Sequence, residues 1–267
     1  LRRRMAQPSG AVSNAGQCFQ ARCYTCTPPT YRSMPRRGRI ARNRTQRERA
    51  RPILRQTHST FMLRFENLSK RYSERTLFQH LHYDTAAGCV ALNDESGSGK
   101  STLLGMLAGT IEPDTGEVWL GGHSLRSAPR LAKSVLTYVP EDCMTYPDET
   151  GRAYLNRVAA ERNTVLDAHT LDLAHRFGLE PHLDKRFEQM SFGTRKKIFL
   201  TGAVLGDTKV VIADEPVGGL DASARAVLVD LFKTLAETRT VFFSSYDLAF
   251  TQACEASTLC FAELGKE

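Results

Sequence analysis

The residues of this chain best equipped for chemistry lie together at Ser96-Gly97-Ser98-Gly99-Lys100-Ser101-Thr102. An apolar, strand-like run, Gly88-Cys89-Val90-Ala91-Leu92, precedes them, and Leu103, Leu104, Met106 and Leu107 follow at helical spacing. Strand, glycine-rich turn and helix form the setting in which such a run holds phosphate. Glycines let backbone N–H groups curl inward around phosphate oxygens, because no side chain blocks the approach. A lysine at position 100 reaches the outer phosphates of a nucleoside triphosphate, and the hydroxyl of Ser101 can ligate Mg²⁺. The first turn of the helix adds its positive dipole end. The pattern G-x-x-x-x-G-K-[ST] is broken once, since Asp94 stands where its first glycine belongs. Aspartate accepts unusual backbone angles better than most residues. Its carboxylate beside a polyphosphate is nevertheless repulsive unless it turns away or pairs with a cation.

Composition limits what surrounds this loop. The 267 residues and 41% hydrophobic content suffice for one α/β core, or one domain plus a tail. The net charge of +7 is unevenly spread. Residues 1–60 hold fourteen Arg, no Lys and one acidic residue, Glu48, whereas the remainder holds 22 basic and 28 acidic residues. Basic character thus belongs to the leader alone and does not argue for a nucleic-acid-binding domain, so no nucleic-acid partner is expected of the working domain. No stretch reaches the eighteen or so apolar residues needed to span a bilayer, so any membrane-spanning part would be another chain. Seven scattered cysteines and a loop built for ATP fit a reducing compartment. Cys18, Cys23 and Cys26 have the spacing C-x4-C-x2-C but lack a nearby fourth ligand, which weighs against a metal or cluster there.

The leader, 1–60, is rich in Arg, Pro, Ser, Gln and Thr and shows no apolar period, which predicts disorder. It reads as a targeting segment, as an arm for anionic lipid or RNA, or as translation begun upstream of Met62, and the last is preferred. The working domain is expected over 61–267. Strands are predicted at 61–68, around 81–83, at 117–120 and at 134–139, the first three forming a small antiparallel sheet. Residues 142–188 mix helical pattern with loops. A helix is predicted over 191–205, opening on Ser191, and another over 222–237. Buried strands are expected at 209–213 and 240–244, a helix at 247–253 and a last strand near 258–261.

Several short runs fall in a telling order: Tyr72; Tyr138-Val139-Pro140-Glu141; Met190-Ser191-Phe192-Gly193-Thr194-Arg195-Lys196; Val210-Val211-Ile212-Ala213-Asp214-Glu215-Pro216; Gly218-Gly219-Leu220-Asp221; and Ser244-Ser245-Tyr246-Asp247. With the glycine loop they make the chain, from Phe61 to its end, resemble the ATP-binding subunit of an ABC transporter. The resemblance implies an α/β fold: a P-loop NTPase core with a mainly parallel sheet, a small antiparallel β subdomain and a helical signature subdomain. It implies ATP and Mg²⁺ as ligands. Ser96 to Thr102 would bind the phosphates and Tyr72 would stack on adenine. Ser101, Asp214 and Glu141 would serve Mg²⁺, and Glu215 would orient or deprotonate the attacking water. Ser191 and Gly193 would face the nucleotide of a second ATP-binding subunit, and Lys100, Glu215 and Tyr246 would be the catalytic set. A separate transmembrane permease would be driven from the inner face of the cell membrane, and the signature variant looks exporter-like. A soluble ABC protein of translation or DNA repair would carry two such domains or a coiled-coil insertion, and neither is visible.

Taken as residues alone, Tyr72 can be strand-end packing, Ser191 a helix cap, Glu141 a solvated loop residue and Tyr246 a filler. The departures from the family pattern point to slow hydrolysis. Glu141 replaces Gln, Phe192 a Gly, Thr194 a Gln and Tyr246 the switch His. A phenol titrating near ~10 with one oxygen cannot copy an imidazole. The alternative is a non-hydrolysing subunit that regulates a competent partner.

Overall fold

Strands of two different hydrophobic patterns build two different sheets. β7 (Val210–Ala213) and β8 (Thr240–Ser244) are buried at every residue, the pattern of strands covered on both faces. They lie in a five-stranded sheet of order β6 (Leu136–Val139), β7, β8, β3 (Gly88–Leu92) and β9 (Ser257–Leu259). Every pairing in it is parallel. β1 (Leu63–Tyr72) instead alternates buried and exposed positions in its first half. It pairs antiparallel with β2 (Arg75–Thr85) and β4 (Thr115–Leu120), and β5 (His123–Ser124) completes the smaller sheet. These features come from a computed structural model that describes residues 61–143 and 146–265. The expected leader, with Cys18, Cys23 and Cys26, lies outside the described residues.

Side chains alternate across a strand, so the parallel sheet feeds two cores. Val90, Leu92, Val210, Ile212 and Phe242 join the core shared with α1 (Lys100–Leu107) and the antiparallel sheet. Ala91, Val211, Ala213, Val241 and Phe243 join the core shared with α6 (Ala222–Ala236) and the helical region. That region contains α3 (Gly151–Glu161), α4 (Ala168–Arg176) and α5 (Phe192–Thr201), which open on Thr150, Asp167 and Ser191. Each cap accepts a hydrogen bond from the backbone N–H three residues on, satisfying a donor the helix leaves free. Tyr154 stacks on Phe199 with centroids 4.6 Å apart, and Phe187 meets both rings edge-on. Arg162 donates to the carbonyls of Gly202 and Leu205 and to Thr137 Oγ1, fastening this region to β6.

Four boundaries differ from the sequence expectation, each for a local reason. Pro129 starts α2 (Pro129–Ser134), so the strand expected from 134 begins at Leu136. α5 ends at Thr201 and tightens into a 3-10 turn over Gly202–Val204. The last strand stops at Leu259, and Phe261 opens α8 (Phe261–Leu264). The first hairpin runs from 63 to 85, with its register shifting between Phe65 and Arg71, and turns at Ser73 with φ +48°. Its outer halves are mostly exposed, so they carry little apolar alternation to read. The helix expected at 247–253 is α7 (Leu248–Ala253), with Asp247 as its cap.

Because the larger sheet is parallel throughout, the carboxyl ends of its strands open on a single edge. Ligands of such folds bind at that edge.

Candidate nucleotide site

Four strand ends supply the site. β3 runs into the loop 93–99, where Gly97 and Gly99 take φ of +76° and +108°, angles that glycine alone adopts freely. A side chain at Gly99 would also drive into Leu77. α1 opens on Lys100, whose side chain is 5% exposed. Its Nζ donates to the carbonyl oxygens of Asp94 at 2.7 Å and Glu95 at 3.1 Å, so the ammonium sits within the loop's own curl. β6 ends at Pro140-Glu141, β7 at Asp214-Glu215 and β8 at Ser244-Ser245-Tyr246. A cleft of about 530 Å³ opens between them. Ser96, Gly97, Gly99, Lys100, Ser101 and Thr102 line it from the loop, and Glu141, Glu215 and Tyr246 from the neighbouring strand ends. Tyr72, Arg75 and Leu77 close one side from the hairpin.

The two adjacent carboxylates differ in environment. Asp214 is 2% exposed and lies behind the cleft lining. Ser244 Oγ donates to Asp214 Oδ1 at 2.6 Å and accepts from the Glu215 N–H at 2.9 Å, so the strand between β3 and β7 orders both residues. Glu215 takes φ +42°, a left-handed conformation costing a non-glycine residue roughly 1–3 kcal/mol. Its Oε1 is buried without a hydrogen-bond partner. Burial pushes its carboxyl above the ordinary value, Lys100 pulls it back and Asp214 pushes it up again. A strained residue with an orphaned oxygen and a raised proton affinity can accept a proton from bound water.

Asp94 resolves its own conflict by turning away from the loop's interior. Oδ1 accepts from the Glu95 N–H at 2.9 Å and Oδ2 from the Phe261 N–H at 2.9 Å, at the start of α8. Phe261 in turn stacks on Phe78 of β2, with centroids 5.4 Å apart. Tyr246 lays its ring 3.7 Å from Lys100 Nζ. Tyr72, 49% exposed, presents its ring at the cleft's edge, with Lys70 Nζ 5.4 Å from the ring centroid. The structure therefore brings most of the expected residues to one cleft. Ser98, Ser191 and Gly193 are not among its lining residues. Ser98 Oγ is buried without a partner. Ser191 is exposed at the start of α5, where its Oγ accepts from the Thr194 N–H at 3.1 Å. A Cβ at Gly193 would lie 2.2 Å from the Gly219 carbonyl, so backbone packing excludes any side chain there.

Sequence reasoning missed Arg75, Ser244 and Lys196. Arg75 lines the cleft with Nη2 3.5 Å from the Gly97 carbonyl. It pairs with Tyr72 across the hairpin turn, a relation that strands expected only at 61–68 and around 81–83 do not show. Lys196 Nζ donates to the carbonyl oxygen of Glu215 at 2.8 Å. A donor loop with glycines in left-handed angles, an ammonium at its centre and orphaned oxygens on Ser98 and Glu215 fits a triphosphate with its cation.

A parallel sheet in which one strand feeds a glycine loop and helix, and two others, β6 and β7, run into carboxylates at the same edge, defines a P-loop nucleotide-binding domain. Residues 79–218 match the ABC transporter family. The chain belongs to that family and is an ATP-binding subunit of it. It is 30% identical over 207 residues to the Nod factor export ATP-binding protein I of Paraburkholderia xenovorans (strain LB400), covering 74% of this chain and 65% of that protein. It is 31% identical over 188 residues to the sulfate/thiosulfate import ATP-binding protein CysA of Nephroselmis olivacea, covering 68% and 54%. The chain thus spans less than two thirds of the length of either relative. Its fold matches that of a dimeric bacterial ABC transporter cassette with a TM-score of 0.67 and 20% identity, covering 77% of this chain and 97% of that one. Among the described residues no helix is long and apolar enough to cross a membrane.

Proposed function

We propose that this chain hydrolyses ATP in the strand-end cleft and, paired with a second ATP-binding subunit, drives a separate transmembrane permease from the inner face of the cell membrane. The observation that carries the reading is the convergence of Lys100, Ser101, Glu141 and Glu215 on one cleft, with Asp214 immediately behind it. Backbone N–H groups of 96–102 and the ammonium of Lys100 would hold the phosphates, and Tyr72 would stack on the base. Ser101, Asp214 and Glu141 would hold Mg²⁺, which when bound neutralises charge on the outer phosphates. Glu215 would take the proton of the attacking water, a task its raised proton affinity suits. Tyr246 would stand beside the outer phosphate, with its ring against Lys100.

Ser191 and Gly193 would act on the nucleotide of a partner subunit, since they are exposed or packed away from this chain's cleft. A groove of about 540 Å³ beside the end of β6, lined by Tyr138, Asp142, Tyr146 and Arg157, would receive the permease. Relatives named for export and for import lie at similar identity. Export is proposed on the signature variant Ser191–Lys197.

One observation favours a second reading, a non-hydrolysing regulatory subunit. Tyr246 occupies the place of an imidazole and covers the ammonium the phosphates need. Equilibrium ATP binding and turnover by the full chain and by Glu215→Gln separate the two. Turnover that Glu215→Gln removes supports the enzyme; binding without Glu215-dependent turnover supports the regulator.

A further inference from the structure

Lys196 is 0% exposed, and neither nucleotide binding nor hydrolysis as proposed uses it. Its Nζ donates to the Glu215 carbonyl oxygen at 2.8 Å and lies 3.4 Å from that of Asp214. The Phe192 ring lies beneath it, 4.7 Å from Nζ to centroid. Among the described residues Lys196 forms no salt bridge; burial depresses its proton affinity, and Cys143 with the carboxylates of Glu141, Asp214 and Glu215 offsets this in part. An ammonium in such a place is costly, and an apolar side chain of equal length would fill the space without that cost. The charge therefore has a use, and its hydrogen bonds say what it is.

Glu215 stands at φ +42°. Its N–H is held by Ser244 Oγ from β8 and its carbonyl by Lys196 Nζ from α5, so the strained residue is gripped on both sides. We infer that Lys196 is a positioning residue that locks the Glu215 backbone in the left-handed conformation from which its carboxylate lines the cleft. Phe192, the odd residue of the signature, then has a use of its own. Its ring covers the ammonium and packs on Gly218 and Gly219, where a side chain at 219 would strike it at 2.6 Å. The helix that begins with the exposed Ser191 also fixes this chain's own carboxylate.

The inference rests on the proposed role of Glu215 for its catalytic readout, so the test has a second readout that does not. In the full chain, Lys196→Met should leave the Kd for ATP within about threefold and lower kcat by about tenfold to a hundredfold, whereas Lys196→Arg should recover most of that loss. Hydrogen exchange of the amides of 214–220, including the Gly218 N–H that also bonds the Glu215 carbonyl, should accelerate about tenfold in Lys196→Met. If Lys196→Met does not fold, Phe192→Leu, which keeps the lysine but uncovers it, should accelerate the same amides and lower kcat severalfold. Unchanged exchange over 214–220 overturns the inference whether or not the wild type hydrolyses ATP. Full kcat in Lys196→Met, or equal losses of affinity and kcat without rescue by arginine, also overturns it. Absence of any Glu215-dependent turnover in the wild type would instead sink the hydrolytic reading and leave the exchange result to decide.

Discussion

The strand-end cleft and the signature edge are built on opposite plans. In the cleft, residues distant in sequence meet because one parallel sheet ends there, and each contributes a side chain or an amide to shared space. At the edge, the residues are neighbours in sequence and one of them, Ser191, faces solvent. The rest are keyed into this chain itself: Gly193 against the Gly219 backbone, the Phe192 ring over Lys196, and Lys197 on the Asp221 carboxylate at 3.0 Å. The cleft is organised to receive a ligand, and the edge to hold its own geometry while presenting one helix start. Departures from the family pattern are therefore tolerated differently. At the edge, Phe192 brings a new contact with a buried lysine. In the cleft, Asp94 is turned outward by α8, and Tyr246 lies on the residue it would serve beside.

This contrast can be broken experimentally. The largest effect should come from Lys100→Ala, which removes the charge at the loop's centre and should weaken ATP binding roughly 100-fold, as charged hydrogen bonds are worth ~1.5–3 kcal/mol each. Titration of ATP into the full chain measures it, and unaltered affinity would place the nucleotide elsewhere. Tyr246→His should raise steady-state turnover on the order of tenfold by supplying a group suited to proton handling. No change would remove Tyr246 from the account of slow hydrolysis. Asp94→Ala should cost about 1–2 kcal/mol of stability in thermal unfolding, because the Phe261 N–H loses its acceptor. An unshifted midpoint would mean that the loop does not depend on α8. Tyr72→Ala should have the smallest effect, a loss of affinity of about threefold to tenfold from a stacking contact near ~1 kcal/mol. A loss as large as that of Lys100→Ala would mean that the edge of the cleft, rather than its centre, dominates binding.

Much of this was legible because chemistry and local pattern coincide. Glycines at 97 and 99, the apolar run before them and the cap at Ser191 each announce a conformation that follows from the residue itself. Buried strands such as 210–213 declare themselves by composition, and their carboxyl-terminal acids then fall at the ligand edge. What stayed hidden depends on partners far away in sequence. The direction of the Asp94 carboxylate is decided by an amide 167 residues on, and Lys196 looks like one more basic residue of the signature until Glu215 is folded against it. Arg75 escaped because an exposed hairpin limb carries no apolar alternation.

The central claim is that the carboxylate of Glu215 works on a triphosphate held by Lys100. Single-turnover hydrolysis and equilibrium ATP binding, measured side by side for the full chain and for Glu215→Gln, test it most directly. The account predicts binding retained and hydrolysis lowered at least about 100-fold. Hydrolysis by Glu215→Gln at the wild-type rate would contradict it.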